Sequence, residues 1–235
     1  MRVLVIIPAY NEQANIVNTV DSVINYGATC TFQLDYIVIN DGSKDNTYQI
    51  CKQNEIKCVN LINNLGIGGA VQTGYKFAKL NNYDIAVQFD GDGQHDINSL
   101  EGLLKPIFDG QADFTVGSRF VDGNSSFKST LMRRVGIKWL SFLIKVITNK
   151  KIFDVTSGYR AANKAAIEFL ANDYPIDYPE PESIVTLLKN KIKIEEVQVN
   201  MFDRQGGQSS IRAFKSVYYM IKVSLAIIIA GFQRS

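Results

Sequence analysis

The apolar run Ile85-Ala86-Val87-Gln88-Phe89 passes directly into Asp90-Gly91-Asp92-Gly93-Gln94-His95. Apolar runs bounded by turn residues read as buried strands of a parallel sheet. The turn then lies at the sheet's carboxyl edge, where ligands bind in open α/β folds. Two carboxylates this close repel each other unless a cation lies between them. Hard oxygen ligands of this kind suit Mg²⁺ or Mn²⁺, and such an ion keeps positions open for diphosphate oxygens. Gly91 and Gly93 let the backbone turn sharply and approach a ligand closely. The competing reading is an acidic turn in which Asp96 caps a helix from about Ile97. On this stretch alone the two readings stand level.

Along the chain, strand and helix alternate at short spacing. Residues 3–7 predict a strand stopped by Pro8, and residues 12–25 a helix with Ile16, Val20, Val23 and Ile24 on its inner face. A second strand, 34–39, ends in Asn40-Asp41-Gly42-Ser43, after which Asp45 or Asn46 caps a helix towards Cys51. A short strand, 57–61, leads through Asn63-Asn64-Leu65-Gly66-Ile67-Gly68-Gly69-Ala70 into a helix reaching Ala78. Such alternation argues a parallel, doubly wound sheet with right-handed crossovers up to residue 110. Two of the helix-opening loops are rich in Gly or Asn, as nucleotide diphosphates require, and Gly66 and Gly68 lie in the second.

The second half is less regular. It predicts a strand at 114–117 before Ser118-Arg119-Phe120, a basic helix at 130–147, and a polar turn at 154–160 before a helix at 164–171. The acidic segment Asp177-Tyr178-Pro179-Glu180-Pro181-Glu182 precedes a helix at 183–188. A strand at 192–199, a Gly-rich loop at 204–210 and an apolar helix at 217–230 follow. The expected organisation is one domain over 1–210, with a nucleotide and metal half at 1–110 and an acceptor half at 111–210. Residues 211–235 carry the apolar helix, which closes the core, pairs with another subunit or lies in a membrane interface.

Several function classes are excluded. Three cysteines, Cys30, Cys51 and Cys58, lack CxxC spacing, so neither a zinc site nor a disulfide framework is expected, and a reducing cytosol fits. The single histidine, His95, rules out a multi-histidine metal site and leaves no Ser-His-Asp mechanism. Asn64-Leu65-Gly66-Ile67-Gly68-Gly69 lacks the G-x-G-x-x-G spacing and follows the third strand rather than the first, which excludes a dehydrogenase. The first eight residues are too short for a signal peptide, and no run of eighteen apolar residues exists. The formal net charge is only +2, and no nucleic-acid partner is expected. Its distribution is uneven: residues 123–153 hold seven Lys/Arg and no acid, and no acid follows Asp203. Arg133, Arg134, Lys138 and Lys145 accompany Trp139, Leu140, Phe142 and Leu143 there. A solvated helix face is the usual meaning of a charge run. The missing acids favour a surface for anionic lipid headgroups instead.

Six segments taken together resemble the family 2 glycosyltransferases of GT-A fold, in the dolichol-phosphate mannose synthase-like, polyprenyl-phosphate glycosyltransferase branch. They are Ile7-Pro8-Ala9-Tyr10-Asn11-Glu12, Val38-Ile39-Asn40-Asp41-Gly42-Ser43, Asn64-Leu65-Gly66-Ile67-Gly68, Asp90-Gly91-Asp92-Gly93-Gln94-His95, Gly117-Ser118-Arg119-Phe120 and Thr156-Ser157-Gly158-Tyr159-Arg160. Each is weak alone, but six in the family's order and spacing settle the acidic-turn question in favour of the metal. The resemblance implies an α/β fold with a Rossmann-like nucleotide-binding half and a mixed central sheet flanked by helices. It further implies an inverting transferase that uses a nucleotide-diphosphate sugar and a divalent metal, Mg²⁺ or Mn²⁺. By position, Pro8, Tyr10 and Glu12 line the base and ribose pocket, and Asp41 contacts base or ribose. Asp90, Asp92 and Gln94 hold the metal and diphosphate. Arg119 and Arg204 match basic positions near the phosphates and acceptor. Asn40 departs from the pattern, since many relatives carry a second aspartate there.

Two acceptors are compatible with these residues. The expected one is a lipid-linked (polyprenyl) saccharide in cell-surface polysaccharide synthesis, whose hydroxyl needs a base; Glu182 is the closest positional match and Glu180 the other candidate. The alternative is a polyprenyl phosphate, which is already an anion and needs none. Asp154 and Arg160 read either as a structural ion pair or as walls of the sugar pocket, and His95 as a residue opening a helix or neighbouring the diphosphate. A nucleotidyltransferase or a non-catalytic nucleotide-sugar-binding module are remoter readings. The expected location is cytoplasmic, peripheral at the inner face of the cell membrane, with room for a homo-oligomer or a membrane-protein partner.

Overall fold

The computed structural model describes residues 1–121, 131–202 and 215–232. Seven strands form one sheet: β1 (Arg2–Ala9), β2 (Gln33–Asn40), β3 (Cys58–Asn60), β4 (Ile85–Gln88), β5 (Phe114–Ser118), β6 (Arg160–Asn163) and β7 (Ile194–Gln198), in the spatial order β3-β2-β1-β4-β6-β5-β7. Strands β1 to β4 run parallel, as the alternation predicts. Beyond them the sheet is mixed, because β6 is antiparallel to both β4 and β5 while β5 and β7 are parallel.

Alternate residues of a strand point to opposite faces, and β1 shows both faces covered. Leu4 and Ile6 join one core with Ile37, Ile39 and Val71. Val3, Val5 and Ile7 join the other with Ile16, Val20 and Leu104. Helices α1 (Ile16–Gly27), α2 (Thr47–Gln53) and α4 (Leu100–Phe108) serve the second core. The first lies under α3 (Gly66–Leu80), α5 (Leu131–Thr148), α6 (Lys164–Asn172), α7 (Pro179–Lys189) and α8 (Lys215–Phe232). The apolar C-terminal helix therefore contributes to the core, with Val223, Ile227 and Ala230 buried in it. Among the described residues no helix is long and apolar enough to cross a membrane.

Several elements differ from the expectation. Strand β1 runs through Pro8 to Ala9, because pairing with β2 continues there, and α1 starts at Ile16 rather than near 12, with Ile24 exposed instead of on its inner face. Strand β6 occupies the end of the segment expected to be only a polar turn before a helix. Its sequence, Arg-Ala-Ala-Asn, has no β-branched or aromatic residue, and pairing with β4 and β5 imposes the extended form. Helix α3 starts at Gly66, so the glycines expected in a loop form its first turn. Helix α7 starts at Pro179 rather than after Glu182, because proline suits the first helical positions where no N–H partner is needed. Asp96 caps as the competing acidic-turn reading has it: its side chain accepts from the Asn98 amide at the start of a 3₁₀ turn, Ile97–Ser99.

Helix α3 packs unusually close to β1 at Gly74, where an added Cβ would lie 2.2 Å from Ile6 Cγ2. Overpacking of this kind costs ~1–3 kcal/mol. Gly74→Ala should lower stability to urea by that amount, and the added cost should largely vanish in an Ile6→Ala background, giving a non-additive double-mutant cycle.

Candidate active site

The carboxyl ends of β1, β2 and β4 present three turns along one edge of the sheet. The first two are stitched together. The backbone N–H groups of Asn11, Glu12 and Gln13 donate to Ser43 Oγ, Thr47 Oγ1 and Asp45 Oδ2 at 2.9, 2.9 and 3.2 Å. In return the N–H groups of Lys44 and Asn46 donate to Asn11 Oδ1 and Gln13 Oε1 at 2.8 and 3.0 Å. Pro8 lies inside β1, which ends at Ala9; Tyr10 is exposed just after it, and Glu12 is buried with its carboxylate accepting from Asn15 Nδ2 at 2.9 Å. Asp41 is buried after β2, and its Oδ1 accepts the Leu65 N–H at 2.7 Å, tying this turn to the start of α3. Burial pushes the Asp41 carboxyl up, against the backbone donors at Leu65 and Gly66.

The departure at Asn40 has a local partner. Asn40 Nδ2 donates to Asn60 Oδ1 at 2.6 Å, and its Oδ1 accepts from the Ser43 hydroxyl. The amide thus makes both a donor and an acceptor contact, which a carboxylate cannot. Gly66 and Gly68 lie at the start of α3, with Gly66 at φ +77°. Gly68 is pressed under the Pro175 and Ile176 carbonyls, 2.3 and 2.5 Å from where its Cβ would be.

The third turn holds the paired aspartates. Asp90 is fixed from three sides. Gln88 Nε2 donates to its Oδ1 at 3.3 Å, and Gln88 Oε1 in turn accepts from the Tyr174 hydroxyl at 3.4 Å. The Asp90 N–H donates to His95 Nδ1 at 3.2 Å, and His95 Nε2 lies 3.6 Å from Asp90 Oδ2. An accepting Nδ1 leaves the imidazole proton on Nε2, facing the carboxylate. Burial holds His95 below its ordinary pKa despite Asp90 and Asp92, so the ring is neutral. It stacks on Tyr159 at 4.8 Å and meets Phe89 edge-on, which makes it a buried wedge under the turn rather than a base open to substrate. On the third side is Gly158: a Cβ there would sit 2.6 Å from Asp90 Oδ2. Asp92 Oδ1 accepts the Gln94 N–H at 3.1 Å, while the Gln94 side-chain amide donates to the Phe202 carbonyl at 3.4 Å.

The basic residues divide. Arg119 is buried and forks onto Asp154, Nε to Oδ2 at 2.7 Å and Nη2 to Oδ1 at 2.8 Å. Asp154 therefore pairs with Arg119 and not with Arg160, correcting the pairing suggested by their nearness in sequence. Arg160 is fully buried and donates to the Ser157 and Val155 carbonyls and to Ser183 Oγ, at 2.7, 3.3 and 2.8 Å. Of the two candidate bases, Glu180 is half-buried within electrostatic reach of Arg160 and Asp90, whereas Glu182 has Asp177 and Asp173 as its charged neighbours. The structure thus brings Glu180 towards the Asp90 turn and leaves Glu182 apart. Arg204 lies outside the described residues, as does the Arg133 side chain.

Gln88 and Tyr174 were not expected in the site. The signal for Gln88 is present in the sequence, as the one polar residue inside the apolar run 85–89. Nothing in the sequence links Tyr174 to it across eighty-six positions.

As to metal, two aspartates on one turn supply hard oxygens but too few to saturate a divalent ion, which fits Mg²⁺ or Mn²⁺ shared with a diphosphate. Among the described residues no cluster of three or more His, Cys, Asp or Glu forms a self-sufficient metal cage.

A model of the family described as "Glycosyl transferase family 2" matches residues 4–170. The UDP-N-acetylglucosamine–dolichyl-phosphate N-acetylglucosaminyltransferase of Methanococcus voltae is 30% identical over 246 residues, spanning 95% of this chain and 96% of the relative. The polyprenol monophosphomannose synthase of Mycolicibacterium smegmatis is 27% identical, spanning 95% and 86%. Among solved structures, glucosyl-3-phosphoglycerate synthase from Mycobacterium tuberculosis, in complex with Mn²⁺, uridine diphosphate and phosphoglyceric acid, superposes with a TM-score of 0.74. That match spans 100% of this chain and 80% of the other at 17% identity, and it establishes the GT-A architecture.

Two outcomes check the geometry. Gly158→Ala should displace the Asp90 carboxylate and lower turnover about 10²-fold with the fold intact by circular dichroism. For Glu180, burial raises the carboxyl pKa against the pull of Arg160. The folded state then holds that proton more tightly than the unfolded chain, so ionised Glu180 costs stability above its raised pKa and not below the ordinary value of about 4.3. Glu180→Gln should therefore raise Tm at pH 8, and the gain should disappear near pH ~4.

Proposed function

The chain belongs to glycosyl transferase family 2 and is a glycosyltransferase, and on that premise we propose that it moves a sugar from a nucleotide-diphosphate sugar to the phosphate of a polyprenyl lipid. One observation carries the reading. A paired-aspartate turn stands at the sheet's carboxyl edge in a chain that aligns, over nearly its whole length, with transferases named for dolichyl and polyprenol phosphates.

In this reading the stitched turns after β1 and β2, with Pro8, Tyr10, Glu12 and Asp41, hold the nucleoside. Asp90 and Asp92 would hold Mg²⁺ or Mn²⁺, which when bound supplies charge compensation to the departing diphosphate. Gln88, His95 and Gly158 keep the Asp90 carboxylate in one orientation. Arg119, neutralised and held by the Asp154 carboxylate, fixes the end of β5 beside the turn. The acceptor oxygen attacks the anomeric carbon from the face opposite the leaving diphosphate, and the bond to that diphosphate breaks. A phosphate monoester has its second pKa near ~6 and arrives ionised, so no proton has to be removed.

The second reading, a sugar hydroxyl on a lipid-linked saccharide, is favoured by Glu180. Its raised pKa makes it a stronger base than an ordinary glutamate, and a positioned base contributes about 10²–10⁴-fold. Under the first reading the same residue orients the transferred sugar.

One assay separates these. Asp92→Asn should lower transfer at least about 10²-fold for any acceptor, with Tm preserved and the residual activity insensitive to chelator. Glu180→Gln should leave transfer to polyprenyl phosphate within about tenfold of wild type. If Glu180→Gln instead loses about 10²-fold or more on a lipid-linked saccharide, and polyprenyl phosphate is the poorer acceptor, the hydroxyl reading replaces it.

A further inference from the structure

We propose that the outer face shared by α5 and α8 docks this protein on an anionic lipid bilayer. The inference rests on the lipid-acceptor reading only for what the docking accomplishes. Helix α8 is apolar on both sides. Val223, Ile227 and Ala230 are buried, yet Ile221, Leu225 and Ile229, on the opposite face, are 57%, 52% and 58% exposed. A surface helix of a water-soluble protein normally places polar residues there. Helix α5 repeats the pattern, with Val135, Trp139, Phe142 and Val146 exposed at helical spacing. The two stripes are contiguous. Trp139 Nε1 donates to Ser224 Oγ at 3.1 Å, and Gly136 and Gly231 admit Met220 and Ile147 between the helices. Single exposed apolar residues are ordinary, but a continuous apolar face marks an interaction surface.

Lysines border this face on both flanks. Beside α5, Lys138, Lys145 and Lys151 surround a recess of about 350 Å³ that Phe142 and Phe153 also line, and Lys151 Nζ lies 4.1 Å from the Phe153 ring. Beside α8, Lys222 Nζ lies 4.8 Å from the Tyr218 ring. The chain has no acid between residues 123 and 153 and none after 203. An apolar, aromatic centre with a lysine rim matches the acyl boundary and anionic headgroups of a bilayer. A second copy fits poorly, because neither α5 nor α8 carries an acid among its described residues, so a two-fold contact through this face would set lysines against lysines with no acid from these helices to pair them. Docking in this way also orients the site. Tyr219 of α8 meets Tyr178 edge-on at 5.4 Å, two residues before Glu180, so the start of α7 lies next to the docked helix.

The test is sedimentation with vesicles of phosphatidylglycerol and phosphatidylcholine against phosphatidylcholine alone, none containing an acceptor. Wild type should favour the anionic vesicles, and the preference should fall with salt. The triple variant K138Q/K145Q/K151Q, which neutralises three charges, should partition about 10²-fold less, from about fivefold per headgroup-facing lysine. Leu225→Ser combined with Ile229→Ser should weaken binding at every salt concentration. Equal partition of wild type onto both vesicles, an unaffected triple variant, or a solution dimer that the Leu225/Ile229 variant dissociates would overturn the proposal. Transfer to a short-chain polyprenyl phosphate in water, without vesicles, tests the acceptor separately. The triple variant should match wild type there. Failure of that transfer with vesicle binding intact removes the acceptor reading and leaves the docking face standing.

Discussion

Strand β6 runs against β4, with Arg160 paired to Gln88, and the site depends on that pairing. A strictly parallel sheet would carry residues after β4 away through a crossover helix. The antiparallel insertion instead returns the second half of the chain to the same edge. It sets Gly158 against the Asp90 carboxylate, stacks Tyr159 on His95, and buries Arg160 under the approach to Glu180. The first two contacts join residues before 110 to residues after it, and the third lies within the second part of the chain. The glycine is required by closeness, since any side chain at 158 would occupy the volume of the Asp90 carboxylate.

Charge within this edge is arranged rather than merely accumulated. Asp90 and Asp92 repel, and the fold tolerates them because Asp90 receives contacts from Gln88 and His95 and because the turn remains partly open to solvent. Arg119 and Asp154 are both buried, and an ion pair in that setting is costly to form but more costly to break. Its value lies in geometry: the guanidinium fork locks the end of β5 to the segment that leads into β6. Glu196 adds to the same junction by accepting the Phe153 and Asp154 amides at 2.7 and 2.8 Å. A neutral, stacked His95 completes the arrangement by orienting a carboxylate without competing for its proton.

Much of this was legible in the sequence because turns at strand ends carry short, local signals. Asp90-Gly91-Asp92, Asn40-Asp41-Gly42 and Pro8-Ala9-Tyr10 each lie where an apolar run stops, and the parallel register then brings them together without further information. What escaped was non-local. The Arg-Ala-Ala-Asn strand has no propensity of its own and exists because two neighbours need a partner. Proximity in sequence suggested Arg160 for Asp154, but side-chain direction in β6 sends Arg160 to the opposite region and leaves Asp154 to Arg119, thirty-five residues earlier. The prolines around Glu180 look like loop breakers, yet in the first turn of α7 they are compatible with helix, and this determines that Glu180 rather than Glu182 approaches the Asp90 turn.

The two faces of α8 tie the catalytic edge to its surroundings. Its inner face completes a core that α7 and α5 share, and Lys189 of α7 donates to the Ala230 and Gly231 carbonyls at the helix's end. Those contacts are fixed by folding whether or not anything lies outside. Its outer face repeats the apolar character of the inner one, for which folding offers no reason. Since α7 carries Glu180 at one end and grips α8 at the other, a force applied at the outer face is borne by the same helix that positions a carboxylate beside the aspartate turn. With the outer face on a bilayer as proposed, that linkage sets the height of the Glu180 carboxylate and the aspartate turn above the headgroups.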